Sequence, residues 1–145
     1  MKTSDSIIEI TKALGQFAKI CPAIKKDTKA FNYMYTTLDT ILSTVKPLLL
    51  KSGIVVVQSI GSNQYGMLIT TRLMHISGEW LEDTMMLPAT ELKGGNNVQM
   101  MGASITYGKR YGLSAMLGIS TEDDTDGVVK TNNNNNQRGK NNARL

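Results

Sequence analysis

The chain is 145 residues long, 41% hydrophobic and 19% charged, with 16 Lys and Arg against 12 Asp and Glu for a formal net charge of +4. That length fits one domain able to bury about two-thirds of its unfolded surface, and a single cysteine, Cys21, excludes an intrachain disulfide. With His75 the sole histidine, a zinc site or a Cys–His nucleophile would need those two residues to meet.

Charge is segregated along the chain. Residues 93–111 carry only positive charge, residues 122–126 only negative, and everything beyond Gly127 only positive. A modest basic excess fits a polyanionic partner without requiring one. The opening MKTSDSIIEITKALG lacks the apolar run of a signal peptide, and no stretch reaches transmembrane length. The expected location is the cytoplasm (a host cell's, if the chain is phage-encoded), with no membrane partner.

The first element is a helix over residues 7–20. Ser6 and Glu9 have the spacing of a capping box, Ile7, Ile10, Leu14, Phe17 and Cys21 recur at helical spacing, and Pro22 stops the run. Phe31, Tyr33 and Tyr35 then alternate as in a short strand. Their shared face is either core or, beside Lys25, Lys26 and Lys29, a base-stacking surface. Thr36 or Thr37 caps a second helix with the stripe Leu38, Ile41, Leu42, Val45 and Leu49, ended by Gly53. Pro47 within it predicts a kink or a separate last turn.

Three strands follow, over residues 54–60, 67–76 and 79–87. The first, IVVVQSI, is nearly all apolar and reads as a strand covered on both faces. GSNQYG and SG are short turns, so the three form an antiparallel meander. After the loop PATELKGGNN, Asn96 or Asn97 caps a long helix that Gly118 closes. The expected class is α+β: an antiparallel β-β-β meander packed on a long helix, with N-terminal helices and a disordered C-terminal tail. Residues 1–128 form the core domain. Residues 129–145, Asn-rich and basic, have too few apolar side chains to offset the entropy of ordering.

On the long helix, Ser104, Tyr107, Tyr111, Ser114 and Gly118 fall on one stripe, while Lys109 and Arg110 point about a hundred degrees apart. Spacing leaves two accounts open. Either Lys109 and Arg110 are solvated beside half-buried tyrosines, or they form a positive ridge whose tyrosines stack on bases, the combination by which single strands are bound. Gly108 and Gly112, each costing about 1 kcal/mol against alanine in a helix interior, make sense where a backbone or a ligand comes close.

Other patterns support less. Glu122, Asp124, Asp126 and Gly127 match the start of a calcium loop, but its twelfth position is Asn133 where a bidentate Glu is needed. The run is a solvated acidic turn that could attract Mg²⁺ loosely. Asp83, Glu91 and Lys93 have the residue types of a metal-dependent nuclease, yet the latter two lie in a glycine-flanked loop. A third reading is a non-enzymatic interaction protein acting through its basic tail. No phosphate-cradling Gly-x-x-x-x-Gly-Lys loop is present, so neither ATP nor another cofactor is expected.

The segment GASITYGKRYGLSAMLGISTEDDTDG resembles the signature of the Erf-type (essential recombination function) phage single-strand annealing proteins. That signature runs Gly-Ser/Ala-x-x-Thr-Tyr-x-x-Arg-Tyr-x-Leu, then a glycine and an acidic run ending in Asp-Gly. YMYTTLDTILSTVKPLLLKSGI resembles the family's Tyr-x-Tyr-x-x-Leu helix, and TRLMHISGEWLE its Thr-x-Leu-x-His-x-Ser-Gly-Glu-Trp hairpin. The matches stand in the right order over residues 31–127. The resemblance implies a β-β-β-α core shared with a wider annealing superfamily, and a non-enzymatic role binding and annealing complementary single strands in recombination. It implies a groove lined by the helix pair Lys109 and Arg110 and by Arg72 of the hairpin. Tyr107 and Tyr111 occupy the family's two tyrosine positions, and Lys93 completes the candidate DNA-binding set. The implied partners are single-stranded DNA, further copies of the chain in a ring or helical filament, and a host single-strand-binding protein. Longer members carry an extra C-terminal region, so partner binding that resides there is not implied for this chain.

Overall fold

The computed structural model describes residues 1–29, 34–88 and 97–122. In chain order its elements are β1 (Lys2–Thr3), α1 (Ile8–Ile20), β2 (Thr28–Lys29), β3 (Met34–Tyr35), α2 (Leu38–Lys51), β4 (Ile54–Asn63), β5 (Gly66–His75), β6 (Trp80–Pro88) and α3 (Asn97–Leu117). The expected α+β class is the observed one. An antiparallel sheet of order β1-β6-β5-β4 carries the meander, and β2 pairs with β3 in a separate two-stranded ribbon. β1, which no periodicity announces, pairs Lys2 with Glu82 and Thr3 with Leu81. Phe31, Tyr33, the acidic run beyond Glu122 and the Asn-rich tail lie outside the described residues.

α1 forms where its period predicts and buries Ile10, Ala13 and Phe17. Its cap is not the expected box. Ser6 Oγ donates to Glu79 Oε1 at 2.6 Å, and the Ile10 amide donates to Glu79 Oε2 at 2.8 Å. Glu9 turns instead to Lys12, at 2.7 Å. The β5–β6 turn delivers a full carboxylate to the helix start, and an ionised acceptor binds orphan amides more strongly than a hydroxyl. In α2, Thr37 is the cap: its Oγ1 accepts from the Thr40 amide at 3.2 Å. Pro47 does not start a separate turn. The helix continues to Lys51, its buried stripe of Ile41, Val45 and Leu49 spanning the proline on both sides.

The meander is in register throughout, from Ile54↔His75 to Asn63↔Gly66 and from Gly66↔Pro88 to Met74↔Trp80. Because side chains alternate across a strand, this register sorts the sheet into two faces. Ile54, Ile69, Thr71 and Leu73 are buried on one, and Leu113 of α3 joins Ile54 and Leu73 in the core with Ile10, Phe17, Ile41 and Val45. Arg72 stands on the other, directly between Val57 and Glu82. Nor is β4 covered on both faces, as its apolar run predicts: Val55 and Val57 are 45% and 46% exposed. The strand is at the sheet's edge, and the helices cover one side of it. An apolar run alone cannot distinguish a central strand from an edge strand whose outer face is apolar.

α3 begins at Asn97 and ends before Gly118, whose φ of 64° is the left-handed conformation a helix stop favours. It meets the sheet through Gly108, where an added Cβ would lie 2.7 Å from Ile69 Cγ1. Gln58 ties the two together, donating from Nε2 to Thr71 Oγ1 and to the Lys109 carbonyl, both at 2.9 Å.

Candidate nucleic-acid interface

The middle of α3 is organised around Arg110. Its guanidinium carbon lies 4.5 Å from the Tyr35 ring centroid, 5.0 Å from that of Tyr111 and 6.0 Å from that of Tyr107. Nη2 donates to Glu122 Oε1 at 3.0 Å and to the Tyr111 hydroxyl at 3.4 Å, and that hydroxyl donates in turn to Glu122. Arg110 is 9% exposed, and among the described residues its Nε has no hydrogen-bond partner. Three stretches of chain therefore converge on one cation: β3 supplies Tyr35, α3 the two other tyrosines, and the segment after α3 the carboxylate. A β-bridge between Tyr35 and Glu122, and a 2.9 Å bond from the Thr36 amide to the Thr121 carbonyl, fix that convergence through the backbone. Burial, and then the Glu122 carboxylate beside it, push the Tyr111 phenol up, so Tyr111 stays a proton donor.

Tyr107 and Tyr111, one helical turn apart, have ring centroids 4.2 Å apart and planes tilted by 47°. Tyr111 is the inner ring; Tyr107 is 48% exposed and presents an aromatic surface to solvent. Lys109 is half-buried, with its carbonyl held by Gln58. The ridge thus separates into unlike parts: an open ring at Tyr107, a half-buried Lys109 about 200° further round the helix, and an enclosed cation at Arg110 whose charge is met by Glu122.

Arg72 belongs to a different surface. On the open face of the sheet its guanidinium carbon lies over the Trp80 ring, 4.4 Å from the centroid, and both Nε and Nη2 reach Glu82 Oε2 at 2.7 Å. Its neighbours Thr71 and Leu73 face α3. Within one chain the sheet therefore stands between Arg72 and the pair Lys109–Arg110, and the three do not line one groove. Lys93 lies outside the described residues. So do Glu91 and the later carboxylates of the acidic run, while Asp83 stands on β6 with the Met1 amino group 3.1 Å away. Among the described residues no cluster of His, Cys, Asp and Glu has the makings of a metal site, and no helix is long and apolar enough to cross a membrane.

Sequence reasoning missed four participants. Tyr35 had a signal, its place in the Phe31–Tyr33–Tyr35 alternation. Trp80 and Glu82 had a weaker one, since they belong to the hairpin motif. Glu122 had none: nothing local distinguishes the acidic residue that meets Arg110 from the three that follow it.

Fold and site together define an α+β protein whose antiparallel meander and long helix carry two separate aromatic–cation clusters. The family model of the ERF superfamily matches residues 10–144, and the chain belongs to that superfamily. No curated protein and no solved structure matches it. Membership suggests a phage-type role in single-strand annealing and recombination.

Proposed function

We propose that the protein binds single-stranded DNA and anneals complementary strands without ATP and without breaking a covalent bond. The observation that carries this reading is the half-exposed ring of Tyr107, backed by the ring of Tyr111 and the guanidinium of Arg110. An open aromatic platform is what a base stacks on, and cations elsewhere on the surface meet the phosphates of the strand. Lys109 neutralises phosphate, Tyr107 stacks, and Arg110 is a positioning residue that braces both tyrosines. Arg72 over Trp80 offers a second cationic contact on the other face, and Lys93, in the sequence ahead of α3, a third. Neutralising the backbone of each strand suppresses the repulsion between complements, and base pairing then selects the partner. Counterion release makes binding fall by about 0.7 log units per log unit of salt for each phosphate neutralised.

The test is the rate at which two complementary fluorescent oligonucleotides anneal at low salt without nucleotide. The intact protein accelerates annealing, and Tyr107→Ala and Lys109→Ala each slow it while the fold, followed by circular dichroism, is unchanged. Arg110→Ala is the wrong probe because it removes the centre of a buried network. Failure of the intact protein to accelerate annealing overturns the proposal.

A further inference from the structure

On either side of the sheet stands an arginine–glutamate pair beside aromatic rings, and the two pairs are built differently. Arg72 gives both Nε and Nη2 to Glu82 at 2.7 Å, so that edge of its guanidinium is satisfied. Arg110 gives Glu122 only Nη2, at 3.0 Å, and its buried Nε has no hydrogen-bond partner among the described residues. The same Glu122 Oε1 also takes the Tyr111 hydroxyl, so the carboxylate meets the site through one oxygen. A guanidinium matches two oxygens of one anion through two parallel N–H bonds, and a buried donor left unmade destabilises. Glu122 therefore leaves the Arg110 fork half used. It is also the member of the pair that solvent reaches, its side chain 28% exposed against 10% for Arg110.

We propose that Glu122 is a latch on a phosphate site: its carboxylate holds the place on Arg110 that a phosphate of single-stranded DNA takes once the Glu122 side chain swings aside. The inference rests on the single-strand reading above and adds a regulation of that site. With Glu122 in place, Arg110 only braces the tyrosines. With Glu122 turned to solvent, a phosphodiester presents two oxygens to Nη2 and Nε, meets the Tyr111 hydroxyl as a donor, and supplies the bond that Nε lacks. Carboxylate and phosphodiester each carry one negative charge, so the exchange keeps the enclosed guanidinium paired, and an unpaired buried charge is the state to be avoided. Tyr107, the ring assigned to stacking, has its centroid 6.0 Å from the Arg110 guanidinium carbon, so a strand stacked there passes the site. Such a strand delivers its phosphate at high effective concentration, which a free anion in solution does not have. The latch thus favours a stacked strand over isolated anions.

Affinity for a fluorescein-labelled thymidine oligonucleotide is measured by anisotropy for the full chain and three variants, each checked for native circular dichroism. Glu122→Gln removes the charge of the latch. Glu122→Asp keeps the charge but draws it back by one methylene, which separates the latch from a change in net charge and serves if Glu122→Gln does not fold. Glu9→Gln removes a carboxylate that pairs with Lys12 on α1. A site open about a tenth of the time binds about tenfold more weakly than one always open. The expected result is therefore binding about tenfold tighter for Glu122→Gln, a smaller gain for Glu122→Asp, and affinity within about twofold of the wild type for Glu9→Gln. Glu122 variants that bind no tighter than the wild type, or a gain in Glu9→Gln as large as theirs, overturn the proposal. If neither wild type nor variants bind the oligonucleotide, the single-strand reading falls, and pyrophosphate, an anion that needs only the guanidinium fork, decides the latch. It should raise the melting temperature of Glu122→Gln more than that of the wild type, and equal shifts overturn the latch.

Discussion

The carboxylate of Glu79 receives the amide of Ile10 at 2.8 Å across 69 residues of sequence. The turn after β5 is thereby the N-terminal cap of α1. The same carboxylate takes the Ser6 hydroxyl, so a single side chain satisfies the entry to the helix and ties it to the sheet.

That link makes stability depend on pH. The Ser6 hydroxyl, and then the Ile10 amide, hold the Glu79 carboxyl below its ordinary value of 4.5. A depressed carboxylate stabilises the fold above the unfolded value, and that contribution disappears as pH falls through the folded one. Thermal melts should show a loss of stability in the wild type as pH drops below about 4.5 that is smaller in Glu79→Gln. At neutral pH, Glu79→Gln should melt a few degrees lower, and amide exchange should locate the loosening in the first turn of α1. An identical acid profile for the two proteins would remove Glu79 from this role.

Glu122 and Arg110 form the more enclosed pair, with side-chain exposures of 28% and 10%. Removing one partner of a buried ion pair strands the other charge. Glu122→Gln should cost about 2–4 kcal/mol, toward the lower end because the carboxylate keeps some solvent. Urea denaturation measures this, and a cost below about 0.5 kcal/mol would identify an ordinary surface pair.

The glycines of α3 should respond in opposite directions to alanine. At Gly102 an added Cβ meets nothing within 4 Å, so Gly102→Ala should stabilise by about 0.5–1 kcal/mol through helix propensity. At Gly108 it would lie 2.7 Å from Ile69 Cγ1 and 3.0 Å from Leu87 Cδ1. Ile69 is fully buried and β-branched and has little room to yield, so Gly108→Ala should destabilise by about 1–2 kcal/mol net. Equal effects at the two positions would contradict the close approach of α3 to β5.

Tyr107 and Lys109 should separate by their signatures on single-stranded DNA. Tyr107→Ala should lose about 1–3 kcal/mol of binding, and Tyr107→Phe should retain it if stacking is the contribution. Lys109→Ala should lower the slope of log affinity against log salt by about 0.7. Fluorescence anisotropy titrations at several salt concentrations measure both, and an unchanged slope would take Lys109 out of phosphate contact.

The residues by themselves determined the helices, the meander and their boundaries to within a few positions. Periodicity marked Ile10 and Phe17, turn chemistry marked Gly53 and Gly118, and these signals are local. The family motifs placed Lys109, Arg110, Tyr107, Tyr111 and Arg72 on the right elements. What the tertiary structure decided is which charges meet. Arg110 adjoins Lys109 in sequence, yet it is enclosed by Tyr35 and Glu122 because β3 and the segment after α3 close over that side of the helix. Arg72 lies on the far side of the sheet because strand alternation turns it away from Thr71 and Leu73. The cap at Glu79 and the edge position of β4 are likewise invisible to any window of sequence. Hydrogen bonds and ion pairs are settled by distance in space, and only folding sets the distance between residues far apart in the chain.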